Sequence, residues 1–225
     1  MTRLAESRAV SIPVGRKSIN GDLSLPPGAR GVVVFAHGSG SSRRSASNQY
    51  IAEYLNYRYL GTLLIDLLTF DEEAVDMMTS HLRFDIELLS ERLITATDWV
   101  LLHESTSNLP LGYFAVSTGA AAALVAAAKL PDVETVVCRG GRPDLAEDWL
   151  ARVHTPTLLI VGQRDDVVLR LNREAAARIP APVCIEVIPG ATHLFEEKGA
   201  LERVAALSHR WFNEQFKQFA YREAA

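Results

Sequence analysis

The stretch that leaves this chain the fewest ways to fold runs from Gly112 to Lys129. Gly112-Tyr113-Phe114-Ala115-Val116 is rich in aromatic and β-branched types and reads as a buried strand, and the alanine-rich run from Ala120 to Leu130 reads as a helix stopped by Pro131. Ser117 stands at the junction. A serine on such a sharp strand-to-helix turn is lifted above the sheet edge, and the turn asks for small residues two before and two after it. Ala115 and Gly119 satisfy that demand, with alanine in the place where the usual G-x-S-x-G pattern has glycine. Ser105 to Ala128 carries no charge and is long enough to cross a bilayer, but Pro110, Gly112 and Ser117-Thr118-Gly119 interrupt it and alanine dominates its second half. The small side chains are better explained by a helix pressed close against a sheet.

The 225 residues, 48% hydrophobic and 22% charged, suit one globular domain over 1–225 with a large core. A formal net charge of −4 gives no electrostatic footprint for nucleic acid or an anionic membrane. Met1 to Ile12 has charges but no apolar segment, so no secretory signal is read there and a cytoplasmic location is expected. Cys138 and Cys184 lie inside apolar strand-like runs, where free cysteine packs as a small hydrophobe, and neither spacing suggests a metal site or a disulfide framework.

In chain order, Ala9 to Val14 and Ser18 to Leu25 alternate between breakers and predict an opening antiparallel hairpin. Val32 to Ala36 is continuously apolar, as a strand covered on both faces must be, and a parallel sheet is expected from there on. That strand runs into His37-Gly38-Ser39-Gly40-Ser41-Ser42-Arg43-Arg44, whose glycines and serines let the backbone approach a ligand closely. It lacks the spacing of a phosphate-binding loop. An oxyanion role fits it better, with the Ser39 N–H joining the Thr118 N–H; His37 precedes the turn and is read as fixing the loop. A helix over about 48–58 and a strand over 61–66 follow, with Asp66 read as a loop anchor. Residues 67–82 are acidic and then methionine-bearing, and could be either a small flap beside the active edge or a solvated connection. Further helices are expected at about 84–102, 145–152, 172–179 and 196–219, and strands at 133–138, 157–162 and 183–188.

Ser117, an aspartate of the loop Gln163 to Val168 and His193 thus stand in the order Ser, Asp, His, each on a loop leaving the C-terminal end of a strand. This is the order of the α/β-hydrolase triad. Over nearly its whole length the chain resembles the dienelactone hydrolase-like group of α/β-hydrolases. The resemblance is carried by HGSGSSRRS at 37–45, LLIDLLT at 63–69, HLRFDIELL at 81–89, STGAAAALVAAA at 117–128, RGGRPDL at 139–145 and ATHLFEE at 191–197. It implies a mostly parallel sheet with an antiparallel N-terminal hairpin, helices on both faces and no large lid. It also implies Ser117 as nucleophile, His193 as general base and Asp165, which fits a G-x-x-D-x-x-V pattern from Gly162 to Val168, as the orienting acid. Dienelactone hydrolase itself uses cysteine as nucleophile, so its lactone substrate does not carry over. Similar sequences are also fused to phosphoribosyltransferase domains, whose pyrophosphate-binding segment is not found here.

The activity expected is hydrolysis of ester-type bonds in small soluble substrates through an acyl-enzyme, with no cofactor and no metal. Thioesters or lactones would serve the same machinery, and a hydrolase-fold ligand-binding protein is the alternative of a different class. The expected partner is a small-molecule substrate, without nucleic acid or membrane, and a homodimer is left open. Arg139 and Arg142, flanking Gly140-Gly141 at the same edge, could clamp a carboxylate or phosphate of the substrate or pair with Asp144 or Glu147.

Overall fold

The computed structural model describes residues 6–223. Residues 1–5 and 224–225, the ends of the expected 1–225 domain and part of the stretch read for a leader, lie outside the described residues. Eight strands form one sheet: β1 (Ser7–Val14), β2 (Lys17–Ser24), β3 (Val32–Ala36), β4 (Gly61–Ile65), β5 (Leu111–Val116), β6 (Val133–Arg139), β7 (Thr157–Gly162) and β8 (Val183–Ile188). Their order is β1-β2-β4-β3-β5-β6-β7-β8. The hairpin β1–β2 pairs antiparallel, β2 meets β4 antiparallel, and every later pairing is parallel. Parallel neighbours need crossovers, and the helices that supply them cover both faces.

Those helices are α1 (Ala46–Asn56), α2 (Phe70–Thr79), α3 (Ile86–Leu102), α4 (Gly119–Lys129), α5 (Asp166–Ala176) and α6 (Ala200–Glu223). Period-2 alternation sends neighbouring residues of β5 to opposite cores. Tyr113 and Ala115 join the core formed with α3 and α4, whereas Phe114 joins Phe35 in the core formed with α1 and α6. The Phe35 and Phe114 rings lie 4.9 Å apart, a favourable tilted contact. Tyr113 is fully buried, and its hydroxyl is satisfied by Thr97 at 2.6 Å. Every residue of α4 from Gly119 to Ala127 is buried. Alanine makes this possible, because a helix of small side chains fits between a sheet and α3 without forcing them apart, and it gives up little side-chain entropy on burial.

Three boundaries differ from those expected. The closing helix starts at Ala200, because Glu196 and Glu197 belong to the preceding loop, where a Glu197 carboxylate oxygen accepts the Thr192 N–H at 3.0 Å. Helix α5 starts at Asp166, six residues earlier than its apolar spacing indicated. Pro143–Arg152 is 3-10 winding broken at Glu147, where φ is 48°; it buries Ala146 and Leu150. The acidic segment read as flap or connection folds as α2, opened by a capping box between Thr69 and Glu72. No helix among the described residues is long and apolar enough to cross a membrane.

Helix α6 is held mainly by aromatic anchors. Phe212 is fully buried, stacks on Phe216 with ring centroids 5.7 Å apart, and sits so close to β5 that a Cβ on Gly112 would lie 2.9 Å from its ring. Phe212→Ala is expected to destabilise the protein by about 3–5 kcal/mol. Urea unfolding should show the loss as a lowered midpoint with an unchanged slope.

Candidate active site

The turn after β5 places Ser117 at φ 50°, a left-handed conformation that costs a non-glycine residue roughly 1–2 kcal/mol. Its backbone is held on both sides: the Ser117 N–H donates to the Arg139 carbonyl at 3.4 Å, and its carbonyl accepts the N–H groups of Arg142 at 2.9 Å and Ala120 at 3.1 Å. Gly119 is obligatory, since a Cβ there would stand 2.6 Å from the His37 carbonyl oxygen. Ala115 needs no such freedom. It lies between Ala36 and Cys138 on the adjacent strands, and its methyl fills the core.

The loop after β3 closes over this turn, so that a Cβ on Gly38 would lie 2.8 Å from the Ser117 Cβ. His37 is partly buried and locked: the Leu67 N–H donates to its Nε2 at 3.2 Å, which leaves Nδ1–H to donate to the Gly38 carbonyl at 2.9 Å. Burial lowers its pKa, so the ring stays neutral and holds the loop, as its position before the turn indicated. Asp66 anchors the same loop by accepting the Arg43 N–H at 3.0 Å and pairing with the Arg43 guanidinium, which also reaches Asp22 at 3.0 Å. Thr118 is 3% exposed, and its Oγ1 accepts the Ser39 N–H at 2.9 Å. Its own N–H has no acceptor among the described residues. Ser39 and Thr118 line a cavity of about 590 Å³ that extends past His37 and Asp66 to Met77 and Arg83.

On the other side of the turn, His193 Nδ1 meets Asp165 Oδ2 at 2.6 Å. Asp165 occupies the N-cap position of α5, yet its side chain makes no capping bond; the carboxylate is given to the histidine. Asp166 is exposed and lies in the first turn of that helix. The His193 ring packs on the Gly140 backbone, where a Cβ would stand 3.4 Å from Cε1, and Gly140 follows the residue whose carbonyl receives the Ser117 N–H. Ser117, Asp165 and His193 are thus brought to one edge of the sheet. Ser117 Oγ and the imidazole share no hydrogen bond among the described residues.

The two arginines part ways. Arg142 forms a bidentate pair with Asp144, at 2.9 and 2.8 Å, which is the structural alternative weighed from the sequence. Arg139 is 7% exposed and has a buried Nη1 without a partner. Its guanidinium stands 6.0 Å from the Phe195 ring, and burial uncompensated by any carboxylate pushes its pKa down to about 10. Buried Cys138 has its thiol pushed up to about 12, which leaves it an inert hydrophobe. Among the described residues no group of three or more His, Cys, Asp or Glu is arranged to hold a metal ion.

Sequence reasoning missed two supports. Glu197 was read as a helix start, although it secures the His193 loop through Thr192. Asp76 and Arg83 also escaped notice; Arg83 donates from Nε to Asp76 Oδ2 at 2.6 Å and from its backbone N–H to Oδ1 at 3.0 Å, while Arg83 Nη1 faces Gly40 across the cavity rim. For α2 a signal was available in Thr69-x-x-Glu72, but none announces an ion pair between a helix and the following turn.

No protein-family model matches the chain. The crystal structure of dienelactone hydrolase from Anabaena variabilis ATCC 29413 is 51% identical and superposes with a TM-score of 0.93 over 95% of this chain and 99% of that one. The chain therefore belongs to the dienelactone hydrolase-like family, hydrolases built on the α/β-hydrolase fold. Est1E from Butyrivibrio proteoclasticus shares the fold at 15% identity, with a TM-score of 0.78 over 93% of this chain and 99% of its own. Two curated Mycobacterium tuberculosis proteins, from strains CDC 1551 and H37Rv, each named "Putative phosphoribosyl transferase", are 54% identical over 204 residues. That match covers 90% of this chain, and the chain spans only 45% of their length.

The Asp76–Arg83 clamp makes the cavity rim sensitive to acid. Burial alone would raise the Asp76 carboxyl, but hydrogen bonds from the Arg83 backbone and guanidinium outweigh it and hold its pKa below the ordinary 3.8. The clamp's contribution is complete above that value and is lost as pH falls through the lower folded pKa. The protection of α2 amides, measured against their intrinsic exchange rate at each pH, is expected to fall below about pH 4, ahead of global unfolding. Asp76→Asn should produce the same loosening at neutral pH.

Proposed function

We propose that the chain is a serine hydrolase of carboxylic ester-type bonds, with Ser117 as nucleophile, His193 as general base and Asp165 as its orienting acid. The observation that carries this reading is the 2.6 Å contact between Asp165 and His193 Nδ1, made by an aspartate that forgoes capping its own helix. With Nδ1–H held by Asp165, the free lone pair of His193 is on Nε2, the tautomer that a general base requires. Ser117 Oγ attacks the substrate carbonyl, its proton passes to Nε2, and negative charge gathers on the former carbonyl oxygen beside the Thr118 N–H and the Ser39 loop. Collapse expels the alcohol with the proton from Nε2 and leaves an acyl-enzyme. Water, deprotonated by the same imidazole, then releases the acid. A lactone or thioester would follow the same course, and phosphoribosyl transfer remains attached to the name of relatives about twice this chain's length.

Arg139 deepens the reading toward substrate charge. A buried guanidinium without a counter-ion is costly, and an anionic group on the substrate would supply the missing partner. Arg142 is already satisfied by Asp144 and is assigned to the loop.

A fluorophosphonate probe is expected to label Ser117, and Ser117→Ala should lose labelling together with several orders of magnitude in kcat on short p-nitrophenyl esters. Asp165→Asn should cost on the order of 10⁴ in rate with the fold intact, and Asp166→Asn little. Near-normal turnover by Ser117→Ala, or the reverse ranking of the aspartates, would reject the assignment. For Arg139, the comparison is between a p-nitrophenyl ester ending in a carboxylate and its neutral methyl-capped analogue. Arg139→Met should raise KM for the anionic ester alone, about tenfold or more, and salt should erode the wild-type preference.

A further inference from the structure

We infer that the side-chain hydroxyl of Thr118 is itself an oxyanion donor, standing between the Ser39 N–H and the reacting oxygen. The inference rests on the serine-hydrolase reading and changes one part of it: which group from the Ser39 side delivers the second hydrogen bond.

In the simplest arrangement two backbone N–H groups, those of Ser39 and Thr118, would point at the developing charge. One of them is already committed. The Ser39 N–H donates to Thr118 Oγ1 at 2.9 Å, close to the ideal length for an N–H···O bond, so it is not free to serve a second acceptor at full strength. Accepting that bond leaves the threonine hydroxyl with its single proton unspent. Thr118 is 3% exposed, and neither that proton nor the residue's own N–H has an acceptor among the described residues. A buried hydroxyl that donates nothing is an unmet demand, and Thr118 both follows the nucleophile directly and lines the 590 Å³ cavity. The amide bond it accepts polarises the hydroxyl and strengthens it as a donor. The residue also immediately precedes α4, whose N-terminus favours negative charge.

When Ser117 Oγ bonds to the carbonyl carbon, the C=O π pair moves onto oxygen. That oxygen receives hydrogen bonds from the Thr118 N–H and the Thr118 Oγ1–H. No proton leaves threonine; the proton displaced in the step is that of Ser117, taken by His193 Nε2. The Ser39 N–H acts one bond further out, as the group that fixes and polarises the hydroxyl.

The competing reading makes the hydroxyl a plug that must rotate away to release the Ser39 N–H, and the two predict opposite results for Thr118→Val, which keeps the shape and removes the hydroxyl. Wild type, Ser117→Ala, Thr118→Val and Thr118→Ser are compared on a short p-nitrophenyl ester, with a trifluoromethyl ketone as transition-state analogue and melting temperatures recorded for each. A donor hydroxyl predicts that Thr118→Val loses about 10²–10³ in kcat with little change in KM. Affinity for the ketone should fall in parallel, and Thr118→Ser should recover to within about tenfold of wild type. An unchanged or raised kcat for Thr118→Val would overturn the inference in favour of the plug. Equal losses in both threonine variants, with lowered melting temperatures, would overturn it in favour of packing. Absence of ester turnover by wild type, or its survival in Ser117→Ala, would instead bring down the serine-hydrolase reading and this inference with it.

Discussion

Ser117 keeps a left-handed backbone only because its neighbours leave it no alternative, and the rest of the site is arranged around that turn. Its N–H and carbonyl are both tied to the strand-to-loop junction at 139–142, its successor but one is pressed against the carbonyl of His37, and the following helix is buried from Gly119 to Ala127. Each restraint comes from a different part of the chain. The parallel sheet matters chiefly because it brings these parts to one edge, with β3, β5 and β6 side by side and their C-terminal ends level. A residue costing roughly 1–2 kcal/mol in isolation becomes the best-determined point of the edge.

Much of this was legible in the sequence because the elements involved are locally self-consistent. Strands β3, β4, β7 and β8 are short apolar runs bounded by breakers, and the structure places their ends within a residue of where the residues put them. The small residues around Ser117 announce a tight turn without help from the rest of the chain. Boundaries failed where a residue served a tertiary purpose at odds with its local signal. Asp165-Asp166 is an adequate helix start by residue type, but the apolar spacing predicts a helix only from Asn172, and the capping carboxylate is turned to His193 instead of its own helix. Glu196 and Glu197 imitate the acidic first turn of a helix, but Glu197 holds a loop backbone instead.

Side-chain partnership was the least legible level. Nothing in the spacing of Arg139 and Arg142 distinguishes an arginine paired two residues away from one sealed beneath a ring, because the difference arises from strand direction: Arg139 follows the inward alternation of β6 toward Phe195, whereas Arg142 lies beyond the strand. The Ser39–Thr118 contact spans 79 positions and depends on how far the loop after β3 folds down over the turn, which no local pattern records.

The unused cap of α5 carries a trade-off between durability and activity. An aspartate at a helix start is typically worth about 1 kcal/mol when its carboxylate turns inward to the first N–H groups, and Asp165 is placed for that bond without making it. Any pressure that rewarded thermal resistance alone would favour turning the carboxylate back onto its helix and letting the imidazole drift. A search for hardier variants would then meet its cheapest improvement at the one carboxylate the proposed chemistry cannot spare, so heat tolerance in this scaffold is better sought at positions remote from the C-terminal edge of the sheet.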